Sequence, residues 1–134
     1  MPAGREALAQ VILLHLLGES DWVALAGASS YSPASLASEG FVHCTEGDDV
    51  MLQVARSFYA DVAGELVVLC LDADRVGSEI RWEAPSPGPP PGSAVTEMPH
   101  VYGPIDLAAV VEVRRLQRDA TGRFAGFGPY EPRA

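Results

Sequence analysis

Three histidines, His15, His43 and His100, are the side chains of this sequence best suited to move a proton, because an unperturbed imidazole titrates close to neutrality. Each sits in an apolar or turn-rich stretch and not in a charged run. His15 lies among leucines in ILLHLL, His43 in FVHC, and His100 between Pro99 and a Val-Tyr-Gly-Pro turn. A buried imidazole needs a partner at each ring nitrogen, so His15 is either a hydrogen-bonded core residue or a ligand contact. His43 ends an extended segment directly ahead of a helix start, a place where sites are built and helix N–H groups converge on anions. His100 reads as a turn residue or, with Tyr102, as a pocket wall.

Other chemistries find less support. The histidines are 28 and 57 residues apart, with no close ligand pair, and His43 and Cys44 point to opposite faces of an extended segment. No metal is therefore expected. Cys44 and Cys70 make no C-x-x-C spacing and are expected to be free thiols, and a Cys44–His43 nucleophilic dyad would require a broken strand. Glu83 stands two residues after Arg81 and reads as half of a surface ion pair. The phosphate loop, G-x-G-x-x-G, G-x-S-x-G and H-E-x-x-H are all absent.

The elements that must position these residues follow from periodicity. Residues 11–17 form a short apolar strand that sets Leu13, His15 and Leu17 on one face. Ser20 is placed to cap a helix carrying Trp22, Val23 and Leu25, and Tyr31-Ser32-Pro33 opens a helical turn through Leu36. Thr45 with Asp48 resembles a capping box ahead of a helix with Val50, Met51, Val54 and Phe58 on one side. ELVVLCL over 65–71 is the pattern of a strand buried on both faces. Residues 80–83 alternate, with Ile80 and Trp82 inward and Arg81 and Glu83 on the other face. Residues 84–93 hold five prolines and two glycines, which predicts an exposed flap over 84–95. A last strand spans 109–116. Without a regular βαβα repeat, the fold class is α+β, a split mixed or antiparallel sheet flanked by short helices. One domain is expected over 1–134, with a core of about 11–124 and terminal extensions at 1–9 and 125–134.

The chain carries nine basic residues, all Arg, against 18 acidic ones, for a net charge of −9. With only Arg114 and Arg115 adjacent, no basic patch forms, and nucleic acid is not an expected partner. No apolar run approaches the roughly 20 residues that span a bilayer, and Gln10 and His15 interrupt the one stretch that imitates a secretory leader. A cytoplasmic protein that takes a small-molecule ligand and contacts no membrane is the expectation; the sequence leaves its oligomeric state open.

The ordered blocks ILLHLL, YSPASLASEGFVHCTE, ELVVLCLDADRV, IRWE and MPHVYGPIDLAAVVEV resemble an uncharacterised bacterial family, domain of unknown function 952, from about residue 11 to residue 124. The resemblance implies an ADP-ribosyltransferase-like fold, with a distant similarity to NAD-dependent RNA 2′-phosphotransferases in FVHCTEGDDVMLQVA. On that analogy NAD is the implied cofactor. His15 would hold a ribose, His43 would match the Val-His histidine, and Glu83 would stabilise an oxocarbenium ion. The implied cleft has His43, Glu83 and His100 as catalytic residues and His15, Tyr31, Thr45, Arg81 and Tyr102 as binding residues, for a nucleotide-like or anionic small ligand. Two departures stand out. Leu16 and Leu17 follow His15 where the transferases have a small Gly-Ser or Gly-Thr step, and only Arg81 falls near the cleft. The competing readings are a cofactor-independent enzyme in which His43 and His100 trade protons on a small metabolite, and a binding module without turnover.

Overall fold

The apolar run over 65–71 becomes the centre of the molecule because both of its faces have a layer to pack against. The computed structural model describes residues 10–85 and 88–131. In chain order these form β1 (Ile12–Gly18), α1 (Glu19–Ala24), β2 (Ser30–Tyr31), α2 (Ala34–Glu39), β3 (Val42–His43), α3 (Asp48–Phe58) and β4 (Leu66–Asp72). After a 3-10 turn at Ala73–Arg75 come β5 (Glu79–Glu83), β6 (Met98–Tyr102) and β7 (Ile105–Asp106). A second 3-10 turn, Leu107–Ala109, leads into β8 (Val110–Arg118) and β9 (Phe124–Pro129). The result is an α+β domain with antiparallel sheets and a few short helices: a four-stranded sheet β1-β4-β8-β9, a three-stranded sheet β3-β6-β5 and a short β2-β7 ladder.

β4 is buried along six of its seven residues. Val67, Leu69 and Leu71 join Leu13 and Leu17 of β1 in packing against Val42, Cys44, Val101 and Ile105. Leu66, Val68 and Cys70 join Leu14 and Leu16 in packing against Met51 and Ala55 of α3, with Leu116 and Phe124. The large sheet is thus the middle of three layers, which explains a strand without polar alternation.

Several local expectations give way to tertiary contacts. Ser20 does not cap the first helix; α1 begins at Glu19, with Gly18 at its N-cap and no side-chain cap. Thr45 caps nothing either, since its backbone is paired with Leu14, and α3 starts at Asp48 behind Gly47. The turn expected from Tyr31 is a strand residue, Tyr31 paired with Ile105, followed by α2. Trp82 is 41% exposed, because β5 runs beyond the core that half-covers Ile80, and its indole N–H donates to Glu46 Oε1 at 2.9 Å. Residues 124–129 are a strand paired with β8 and not part of a loose extension. Residues 1–9 and 132–134 lie outside the described residues. Of the flap, 84–85 and 88–95 carry neither strand nor helix, as their prolines dictate, while 86–87 lie outside the described residues.

Candidate active site

The site is built where the two sheets touch. β1 is an edge strand of the large sheet, and β3 is an edge strand of the small one. They meet in one bridge, Leu14 N–H to Thr45 O at 2.7 Å and Thr45 N–H to Leu14 O at 2.8 Å. Past it a cavity of about 620 Å³ opens. Its polar wall carries His15, Tyr31, Ser35, Glu39, His43, Thr45 and His100, with Asp21 at the rim; its apolar wall carries Leu16, Met51, Val54, Phe58, Tyr59, Val62, Leu66 and Met98.

His15 crosses the gap. Its Nδ1 lies 2.8 Å from the His43 carbonyl oxygen, which only accepts, so Nδ1 carries the hydrogen. Nε2 then holds the lone pair and accepts from the Tyr31 hydroxyl at 2.8 Å. Burial drives the His15 pKa down to about 4, against a smaller opposing effect of the His43 carbonyl, and this imidazole is neutral at pH 7. Burial likewise raises the Tyr31 pKa, so its hydroxyl stays protonated.

His43 and His100 stand opposite each other in the β3–β6 register, with ring centroids 5.6 Å apart. Each has its own carboxylate. Glu39 places both oxygens on His43 Nε2, at 3.1 and 3.2 Å. This contact exists because α2 ends at Gly40 in a left-handed turn, φ 89°, that brings β3 back past the helix end. Glu83 Oε1 accepts from His100 Nδ1 at 2.9 Å and from the Tyr102 hydroxyl at 2.6 Å. The Tyr102 bond first, and the His100 bond second, hold the Glu83 carboxyl below its usual range. With Nδ1–H fixed on Glu83, neutral His100 has its lone pair on Nε2; with Nε2–H on Glu39, neutral His43 has its lone pair on Nδ1. Phe41 stacks on the His100 ring at 4.2 Å, which helps leave His100 only 3% exposed.

The peptide edge of β1 adds a further polar element. Along this ladder Leu14 turns its N–H and C=O away from β4, and by strand alternation so does Leu16. Thr45 takes those of Leu14. Those of Leu16 have no hydrogen-bond partner among the described residues, although Leu16 is buried and lines the cavity.

His15, Tyr31, His43, Thr45 and His100 therefore share one cavity, and Glu83 and Tyr102 reach it only through His100. Arg81 is not at the cavity. It pairs with Glu79 at 3.0 Å and lies 4.1 Å over the Tyr102 ring, so the expected Arg81–Glu83 ion pair does not form. Cys44 is buried and its thiol is pushed up to about 12, which removes the Cys44–His43 dyad. Cys44 and Cys70 are both free. Among the described residues no group of three or more His, Cys, Asp or Glu side chains could hold a metal.

Sequence reasoning missed Glu39, Phe41 and the Leu16 peptide edge. A signal existed for Glu39 in the Glu-Gly step after a short helix, four residues before His43; Phe41 and the edge follow only from pairing. A second hollow, of about 860 Å³ beside α1, is lined by no histidine and none of the candidate catalytic or binding residues, and its carboxylates Glu19 and Glu65 face Arg115 at 3.0 and 3.6 Å.

Among solved structures, the fold is similar to protein CC0527 from Caulobacter crescentus. The crystal structure of that protein matches with a TM-score of 0.68 at 24% identity, covering 85% of this chain and 93% of that one. Its solution NMR structure matches with a TM-score of 0.63 at 24% identity, covering 83% and 89%. No curated protein matches the chain. No helix among the described residues is long and apolar enough to cross a membrane. The model of the family described as a protein of unknown function, DUF952, matches residues 16–113, and the chain belongs to that family.

Proposed function

We propose that the chain is an acid–base enzyme acting on a small, uncharged organic substrate, with His43 and His100 as the proton-transferring pair. The carrying observation is the two carboxylate-held imidazoles, Glu39–His43 and Glu83–His100, with rings 5.6 Å apart in the lining of one cavity. A carboxylate fixes the tautomer of its imidazole and stabilises the imidazolium once a proton arrives, the supporting role found in catalytic triads. One imidazole takes a proton from the substrate while the other, protonated, returns one to a neighbouring atom; such pairs contribute about 10²–10⁴-fold in rate. His15 and Tyr31 position the far end of the substrate. An uncharged substrate fits a lining that holds Asp21 and Glu39 and no Arg.

A second reading, NAD-dependent ADP-ribosyl transfer on an ADP-ribosyltransferase-like fold, is favoured by one observation. The Leu16 N–H and C=O form the donor–acceptor pair that a carboxamide such as that of nicotinamide would match. Against it, the cavity offers a diphosphate two carboxylates and no cation.

The test uses small neutral carbonyl compounds in deuterium oxide, with protein-dependent exchange followed by proton NMR. Exchange lost in His100→Ala and His43→Ala supports the first reading; exchange in neither wild type nor variants, or in all alike, overturns it. In parallel, titration calorimetry with NAD and an assay for released nicotinamide decide the second, which falls if NAD gives no heat at millimolar concentration. Binding of a neutral ligand without any turnover leaves a binding module.

A further inference from the structure

We infer that the substrate of this cavity is an amphiphile: an uncharged polar head at the histidine wall and an apolar chain that runs along α3 and the loop behind it. This rests on the proposed acid–base reading for the location of the reacting head, and on the cavity walls for the tail.

The two walls are chemically distinct. The head region is confined to β1, β2, β3 and β6, which supply every histidine. The apolar part of the lining comes from Met51, Val54 and Phe58, spaced along one face of α3, and from Val62 beyond it. That wall is more apolar than a fold requires. Of five large hydrophobic residues exposed among the described ones, two, Phe58 at 46% and Val62 at 39%, line this cavity. A substrate no larger than its reacting group would leave both in water. A chain continuing from the head would cover them, and it is the same continuous cavity that connects them to His43 and His100. The head is not an anion, because the polar lining pairs a buried neutral imidazole and an unpaired peptide edge with the carboxylates of Glu39 and Asp21, an environment hostile to negative charge.

The probes are the primary amides butanamide, hexanamide and octanamide, with octanoate as the charged counterpart, titrated into the intact chain and followed by NMR shifts. Full burial of each methylene is worth about a fourfold gain in affinity, so octanamide is expected to bind at least about tenfold tighter than butanamide even with partial burial. Octanoate is expected to bind at least about tenfold more weakly than octanamide. In the double variant Phe58→Ser, Val62→Ser the gain with chain length should fall to within about threefold. Both positions are exposed, and an unchanged thermal melt checks that the variant folds. Equal affinity along the series, no binding of octanamide at its solubility limit, or a gain that survives the double variant overturns the tail. Octanoate binding as tightly as octanamide overturns the uncharged head. These readouts need no turnover, so the acid–base reading fails separately, through histidine variants that leave proton exchange untouched.

Discussion

His15 and His100 are both buried, both line the same cavity, and differ in what stands behind them. His15 leans on a peptide carbonyl and a tyrosine hydroxyl, neither of which gains from a positive charge enough to offset burial, so the ring is locked neutral. His100 leans on a carboxylate with a lowered pKa. One is a structural strut that also presents a polar surface; the other, on the proposed acid–base reading, is the proton carrier. Burial alone does not distinguish a working histidine from a silent one, whereas the chemistry of the second ring nitrogen's partner does.

The comparison breaks most visibly if His100→Ala retains activity. The expected loss of proton-exchange rate is about 10²–10⁴-fold in single-turnover measurements, with Glu83→Gln losing a smaller part of the same rate because the imidazole remains and only its support changes. A His100→Ala enzyme as fast as the parent would reduce His100 to the standing of His15.

The next effect is in stability. The folded pKa of His15, about 4, lies below the ordinary value of 6.5, so the unfolded chain binds a proton that the folded one refuses. The stabilisation is complete above pH 6.5 and is lost as pH falls towards 4, amounting to roughly 3 kcal/mol across that window. Urea unfolding of the wild type and of His15→Gln at pH 7 and pH 4 measures it. The wild type should lose that much more than the variant, and parallel losses would show that other groups carry the acid sensitivity.

A smaller effect is expected from Tyr31→Phe, which leaves His15 Nε2 buried without its donor and costs about 1–3 kcal/mol in urea midpoint analysis. An unchanged midpoint would show that the bond from the Tyr31 hydroxyl to the ring adds nothing to stability. The smallest effect belongs to Arg81→Ala. Its partner Glu79 is exposed, and neither thermal melting nor exchange rate should change measurably.

Much of this arrangement was readable from residue order, and the unread part has common physical causes. The run ELVVLCL over 65–71 announced its burial, and it becomes the strand Leu66–Asp72; His15 announced itself by standing among leucines. β9 did not: FAGFGP has too much glycine and proline to read as a strand, and only the ladder with β8 makes it one. Thr45 had the right spacing to cap α3, but its backbone was claimed by Leu14 from 31 positions earlier, a contact that local spacing cannot show. Glu39 meets His43 only because the left-handed turn at Gly40 folds β3 back past the end of α2, and Arg81 has a carboxylate two residues away on either side, of which it takes Glu79 and not Glu83; spacing alone shows neither outcome.

The Leu14–Thr45 bridge gives the two sheets the mechanics of tweezers. Two backbone hydrogen bonds form the fulcrum, and the His15 imidazole on the His43 carbonyl is a cross-piece set just beyond it. Parting the arms past that point, Leu16 on one side and His43 on the other, would break the His15 cross-piece but no rung of either sheet. The amide hydrogens of Leu14 and Thr45 therefore report on the fulcrum itself: opening of the arms leaves them protected, and only separation of the sheets releases them to solvent.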